Sequence, residues 1–498
     1  MRNSRKAGLL AAVFGLGLAS SGLPAYGETL AEAIALAYKT NPQVLVARST
    51  VRNADETYFR TTIGLVDPTV TVGTVGASLA DTQELLHGGN DNGPSLNLSL
   101  SGVGVQQTLF NGGRIATGMD QARNTLMTQR ENWRAAEMSM LSSVVRAYTG
   151  VRQAEGAYKV GQDSLTIQKK AADDAQARYD VGTQTISELK NTQATFAGQQ
   201  AQVLTQQNSL QQARNVYLTA IGQLPGTLSQ EPDISPFLPK TFEEAYRVAQ
   251  QNSPTIRNAY LQERQAAIAL ANARAPYRPT ATFNLSNSFG SRANFSARPS
   301  SIGLDTTTGS VTATLGFNIP LWPGRATNST LRSAEESYRS AQYTLDLARR
   351  TLYQNISQDW NNLENNRRQL EVQTIQVEAR RVSQAGYQEQ YTQGAANLTD
   401  KLNADQALAS AEQSYLVAGF TLFNSGVTLL QDLGVLAAET FGVNGIEKFD
   451  PNEHFERVNG RGSGAWAEWV EGIDRRFGVR APDYVPQPGE VIPEFTRP

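Results

Sequence analysis

The chain carries one long design twice. Thr29-Leu-Ala-Glu-Ala returns as Thr241-Phe-Glu-Glu-Ala, Asn41-Pro42 as Ser253-Pro254, and Gly222 as Gly434, each displaced by 212 residues. Pro68 and Pro279 are 211 apart, as are Arg114 and Arg325, which close QTLFNGGR (107–114) and PLWPGR (320–325). An offset held to within a residue or two along both halves marks an internal duplication. Whatever the first half builds, the second must build as well.

What it builds follows from apolar residues spaced by seven. Val144, Val151, Tyr158, Leu165, Ala172 and Tyr179 form one such row. Ile356, Leu363, Leu370, Val377, Gln384 and Tyr391 form its counterpart, with Gln384 the polar exception. The spacing resumes at Leu189, Phe196, Val203, Leu210 and Tyr217, and again at Leu402, Ala409, Leu416, Phe423 and Leu430. A sustained seven-residue repeat predicts helices packed side by side as in a coiled coil. The first arm, Asn111 to Asp180, has 70 residues, on the order of 100 Å at about 1.5 Å per residue. Between the arms stand YDVGTQT (179–185) and YTQGAAN (391–397). Glycine reaches the positive φ that ends a helix, so Gly182 and Gly394 mark reversals and each half is predicted to be a helical hairpin.

Strands lie ahead of the long arms. Val311, Ala313, Leu315, Phe317 and Ile319 alternate with small or polar residues over Ser310–Ile319. Ser95–Leu100 and Thr280–Ser286 alternate too, and Thr69–Val75 does so more weakly. With loops at HGGNDNGP (87–94) and Arg292–Gly309, this predicts β-hairpins over about 68–106 and 279–320. Strands of roughly 10 residues cross a bilayer when tilted. Four strands cannot close a barrel, an open edge in lipid leaves backbone groups unmet, and the smallest membrane barrels have about eight strands. A membrane-inserted form must therefore be an oligomer, a dimer giving eight strands or a trimer twelve. The predicted fold class is mainly α with a transmembrane β part.

The ends differ from the repeats. Arg2, Arg5 and Lys6 precede the apolar run AGLLAAVFGLGLA and then Pro24-Ala25-Tyr26-Gly27. This pattern reads as a signal peptide over 1–27, cut after Gly27. Its removal turns 44 basic against 46 acidic residues into 41 against 46. That balance offers no footprint for nucleic acid. The repeats are read as 28–222 and 241–440, joined by the proline-rich linker 223–240. The tail, 441–498, is rich in Gly and Pro and reads as irregular, with Trp466 and Trp469 as candidates to dock part of it. There is no cysteine, which excludes disulfides, thiolate metal sites and a lipid-bearing cysteine. His87 and His454 are the only histidines, and no phosphate loop, nucleophile elbow or zinc-binding helix motif is present. No catalytic, cofactor or metal site is expected. An exported coiled-coil spacer is the rival that needs no membrane, and the paired alternating strands count against it.

Together QTLFNGGR, PLWPGR, both Thr-x-x-Glu-Ala starts, YDVGTQTISEL and YTQGAANLTDKL resemble the TolC-like outer membrane efflux proteins, over roughly Thr29–Gly434. The QTLFNGGR form is most similar to members serving type I protein secretion. The resemblance implies a homotrimer with a twelve-stranded barrel in outer membrane lipid and a tunnel of twelve helical segments in the periplasm. It implies an exit duct joined through a periplasmic adaptor to an inner-membrane ABC exporter. Multidrug or metal efflux with a proton-driven pump is the alternative within the family.

It also implies a gate at the hairpin tips, with the turns at Gly182 and Gly394 as adaptor-docking points. Asp400 matches the first of two acidic constriction residues, and Asn403 stands at the second. Tyr391 matches a latch tyrosine whose acidic partner corresponds to Glu188. The latch arginine is replaced by Ala396, and its acceptor corresponds to Ser187. Plain structural roles are open for each: Asp400 and Glu188 suit a helix N-terminus, and Tyr391 lies on the apolar seam.

Overall fold

The computed structural model describes residues 28–72, 75–80, 95–295, 302–443, 449–459 and 465–482. Residues 1–27, read above as a signal peptide, the HGGNDNGP loop with His87, and the end of the tail lie outside the described residues.

Local chemistry starts each repeat. The Thr29 side chain accepts the Glu32 N–H and the Glu32 carboxylate accepts the Thr29 N–H, a reciprocal capping box that opens α1 (Leu30–Thr40). Thr241 caps α5 (Phe242–Asn252) through the Glu244 N–H. Pro42 and Pro254 occupy the first positions of α2 (Pro42–Val66) and α6 (Pro254–Arg274), where no N–H is needed.

The first repeat continues through β1 (Thr69–Val72), β2 (Val75–Ala80) and β3 (Ser95–Asn111) to α3 (Arg114–Asp180) and α4 (Ile186–Ile221). The second runs through β4 (Thr280–Phe295) and β5 (Ile302–Asn318) to α7 (Gly324–Thr392) and α8 (Leu398–Asp432). At 67 and 69 residues, α3 and α7 are rods of about 100 Å. The returning helices have 36 and 35 residues, about half that length. Helix α3 packs against α2 and α6 as well as α4 and α8, and α7 packs against α6 and α8. At one level the order is therefore α2-α3-α6-α7, and at the other α4-α3-α8-α7, four helices abreast in each.

The main core lies where the short helices meet the rods. It gathers Leu30, Ile34, Tyr38, Tyr148, Tyr217, Ile221, Ile356 and Leu430. The proline-rich stretch is packed into it through Ile234. Farther down α3 the seam moves. Val144 and Val151 are fully buried, but Tyr158, Leu165 and Ala172 are only partly so, and Tyr179 is exposed. Gly161, Ser164, Gln168, Ala171 and Ala175 take their place. A straight helix drifts by about 20° per heptad from a strict seven-residue repeat, which over five heptads is a quarter turn.

The strands form one antiparallel sheet. β1 and β2 both pair with β3 and continue one register, Val72 opposite Val103 and Val75 opposite Leu100. The order β1-β3-β4-β5 joins the two hairpins edge to edge. Val70, Val105, Leu285 and Ala313 stand opposite one another in turn, so an apolar row crosses all four strand positions. The strands of 16 and 17 residues exceed the expected 10 or so. β4 reaches Phe295 and β5 begins at Ile302, inside the stretch expected to be the Arg292–Gly309 loop. Ladder hydrogen bonds to neighbouring strands hold residues such as Arg292 and Asp305, opposite each other, whose own pattern does not alternate.

The tail also departs from the irregular reading. Pro451–Asn459 is α9 and Ala465–Phe477 is α10. Both are amphipathic, and packing against α2 and α3 supplies what helices this short lack alone. Trp469 is 50% exposed, while Ala467, Val470 and Asp474 are buried; the Trp466 side chain lies outside the described residues. On α9, His454 Nδ1 lies 2.9 Å from the fully buried Asp55, and Phe455 is buried beside Tyr58.

Candidate functional site

The two tips close in the same way. Gly182 and Gly394 have φ of 77° and 74°. The Thr183 N–H donates to the Arg178 carbonyl, and the Ala395 N–H to the Gln390 carbonyl, each at 2.8 Å. These bonds, spanning five residues, satisfy carbonyls that the helix end leaves open. Each returning helix is then capped: Thr185 accepts the Glu188 N–H and Asn397 accepts the Asp400 N–H. The N-cap of α8 is thus Asn397.

Glu188 and Asp400 are equivalent third residues of their helices, yet they behave differently. The Glu188 carboxylate reaches back to the Thr185 N–H at 3.2 Å, closing a capping box. Asp400 is one methylene shorter, does not close the box, and is exposed. Asn403, one turn on, is exposed on the same helix face, and Ser187 is exposed in the first turn of α4.

Tyr391 is pinned, but not to Glu188. Its hydroxyl donates to Asp174 Oδ2 at 2.7 Å, and Arg178 donates to the same oxygen at 3.0 Å. The Arg178 guanidinium also lies over the Tyr391 ring, 5.4 Å from its centroid. Burial, then the bond to Asp174 and its charge, push the phenol up to about 12, against the pull of Arg178. Within the chain the Tyr391 hydroxyl thus bonds Asp174, which it shares with Arg178, while Glu188 is engaged at its own helix end. The visible signal for this was the Asp174/Arg178 pair four apart on a helix; its reach to a residue 217 positions away had none.

A second missed residue explains the polar break in the heptad row. Gln384 donates to Asp405 Oδ1 at 2.7 Å, and Lys401 donates to Oδ2 at 2.9 Å. Asp405 is buried, so the seam between α7 and α8 near the tip holds a satisfied polar group. At the other end of this helix pair, Asp359 of α7 lies beside Asp432, the last residue of α8. Burial first, then the neighbouring carboxyl, push Asp359 up to about 7.

A long helical hairpin duplicated around one four-position sheet is the architecture with which comparisons to known proteins agree. The model of the outer membrane efflux protein family matches residues 33–223 and again 245–435, the same 212-residue displacement. The chain belongs to the outer membrane efflux protein family. Among relatives, the outer membrane efflux protein BepC of Brucella suis is 25% identical over 477 residues, covering 95% of this chain and 96% of that protein. TolC of Salmonella enteritidis is 22% identical over 351 residues, covering 69% and 71%. The crystal structure of the Campylobacter jejuni CmeC outer membrane channel superimposes with a TM-score of 0.69 at 14% identity, covering 88% of this chain and 90% of that one. This efflux protein is accordingly an outer membrane protein of Gram-negative type and a channel component, not an enzyme. The family forms trimers and works with a periplasmic adaptor and an inner-membrane pump. Among the described residues no helix is long and apolar enough to cross a membrane.

Proposed function

We propose that three copies of this chain form the exit duct of a type I protein secretion system, fed by an ABC exporter through an adaptor. The carrying observation is that one chain supplies a sheet with open edges at β1–β2 and β5, continuous with four helices abreast. Three copies bring twelve strand positions and twelve helical segments, and edge-to-edge pairing satisfies every open strand. The tips then form the periplasmic mouth. There Asp400 contributes one carboxylate per chain to a ring that attracts cations, and Tyr391–Asp174 holds the two hairpins of each chain together. The turns at Gly182 and Gly394 present the surface for the adaptor.

The cargo reading rests on QTLFNGGR. A second reading, small-molecule efflux with a proton-driven pump, is favoured by the likeness over nearly the whole chain to BepC, an outer membrane efflux protein. A deletion strain separates them. Loss of a secreted protein with unchanged drug susceptibility supports type I secretion, and the reverse result overturns it. For the gate, Asp400→Ala in planar bilayers is expected to lower cation selectivity and block by multivalent cations. If both stay unchanged, Asp400 serves only as an acid in the first turn of α8.

A further inference from the structure

We infer that α10 is an interfacial helix that lies on the phospholipid of the periplasmic leaflet, beside the base of the barrel. Its position comes first. Asp474, fully buried, accepts the backbone N–H groups of Asn111, Gly113, Ile115 and Ala116 at 2.8–3.1 Å. Asn111 ends β3 and Ile115 lies in the first turn of α3, so α10 is fastened at the level where sheet gives way to helix. The Val479 N–H donates to the Gly112 carbonyl and tightens the same joint.

Its side comes next. Along β3, Gln107 shares a face with Val105 and Val103, because strand side chains alternate. That face is the apolar one. The Gln107 amide donates to the Val66 carbonyl at 3.0 Å, and Val66 packs with Ala467 and Val470 of α10. Helix α10 therefore lies on the side that carries the apolar row, toward lipid.

Its outward face has the matching chemistry. Trp469, Ile473 and Phe477 are spaced by four and share one stripe. Trp469 is 50% and Phe477 60% exposed, and Ile473 is partly exposed. Arg476 and Arg480 are exposed next to them, Arg476 lying over the Phe477 ring. Glu471 is neutralised by Arg475, which also reaches Asp120, while Glu468 is exposed on the stripe's flank. An aromatic stripe with arginines suits the boundary where acyl chains meet phosphate headgroups. At the equivalent joint of the second half, Leu321 and Trp322 are 94% and 74% exposed, which extends the belt around the barrel base.

Because the chain has no cysteine, single labels report cleanly. Spin labels at Phe477→Cys and Arg476→Cys are read in the full-length oligomer, reconstituted in phosphatidylethanolamine/phosphatidylglycerol vesicles. Lys170→Cys, exposed on α3, serves as the aqueous reference, and Val311→Cys, exposed on β5, as the lipid reference. Expected at 477 and 476 is a several-fold rise in the ratio of oxygen to nickel-chelate collisions over that at 170. Nickel access equal to that at 170 would overturn the inference, placing α10 in water. Shielding from both probes would overturn it too, placing another copy of the chain over the helix. The inference rests on the barrel reading, and the two fail differently. A water-like signal at Val311→Cys defeats the barrel, whereas a lipid-like signal there with water at 477 defeats only the interfacial helix. Both α10 labels sit on exposed positions, and heat-resistant oligomer on gels shows that each variant has assembled.

Discussion

QTLFNGGR and PLWPGR occupy equivalent places in the two repeats, each turning a strand into a rod, but among the described residues only the first is clamped from outside. Gly113 (φ 98°) meets Val479 so closely that any Cβ would fall 2.4 Å from its nitrogen, and Asp474 fills the open N–H groups of α3. Gly324 (φ 87°) has open space where a Cβ would stand, and Pro323, the N-cap of α7, makes no side-chain cap bond. Duplication thus delivers a left-handed glycine at the same place in both joints, Gly113 and Gly324, and the unduplicated tail makes the joints unequal. One joint is sealed within the chain. The other leaves Leu321 and Trp322 for its surroundings to cover.

The largest expected effect tests that inequality. Asp474→Ala leaves four backbone N–H groups without their acceptor, at a cost of roughly 3 kcal/mol or more. Thermal unfolding of the oligomer should shift strongly downward, and hydrogen exchange should rise at 111–116. Trp322→Ala at the second joint should leave exchange at 320–327 near wild type in the isolated chain. Equal responses at both joints would mean that Asp474 does not clamp the first.

The tips give a subtler contrast. Tyr179 and Tyr391 are equivalent, yet Tyr179 is exposed while Tyr391 is tied to Asp174. The positions that would serve Tyr179 in the same way are Gly386 and Gln390, which offer no carboxylate or guanidinium. Tyr391→Phe should therefore loosen the tips by about 1 kcal/mol and raise spontaneous opening in single-channel recordings. Tyr179→Phe should leave the recordings unchanged. Similar gating in the two variants would show that the Asp174 bond does not couple the hairpins.

The smallest effect concerns pH. Asp359 beside Asp432 has as its first-repeat equivalents Ala147 and Ala220, so only the second hairpin carries a carboxyl pair at its base. An acid raised from its ordinary 3.8 to about 7 holds an extra proton in the folded state. Its stabilisation is complete below about pH 4 and is lost as pH rises through 7. Hydrogen exchange at the α7–α8 base should be faster at pH 8 than at pH 5.5 relative to the α3–α4 base. Asp359→Asn should flatten that difference, and a dependence persisting in this variant would assign it elsewhere.

Much of the fold is legible in the residues themselves. The capping boxes, the prolines at helix starts and the two glycine turns depend on residues within about five positions of one another. The strand alternation also identifies the sheet, though its full length does not show, since cross-strand bonds recruit residues such as Arg292 that have no strand pattern. The candidate gate is half legible. Asp400, Asn403, Ser187 and Glu188 fall at the helix starts where the turns place them. Asp174 and Asp405 do not stand out, because their meaning lies in Tyr391 and Gln384 on another helix. The tail misleads through its glycines and prolines. Its helices depend on docking, and composition does not report a docking surface.

Alone, then, the sequence determined the duplication, the rods, their reversals and the need for more than one copy to close the sheet. All of these follow from local conformational preference and periodicity, which act over a few residues and repeat when the residues repeat. Only the tertiary structure decided which seam stays buried along a drifting rod, which acid Tyr391 grips, and that the tail seals one joint and not its twin. Those outcomes are set by contacts between residues hundreds of positions apart, where geometry, and not spacing, selects the partner.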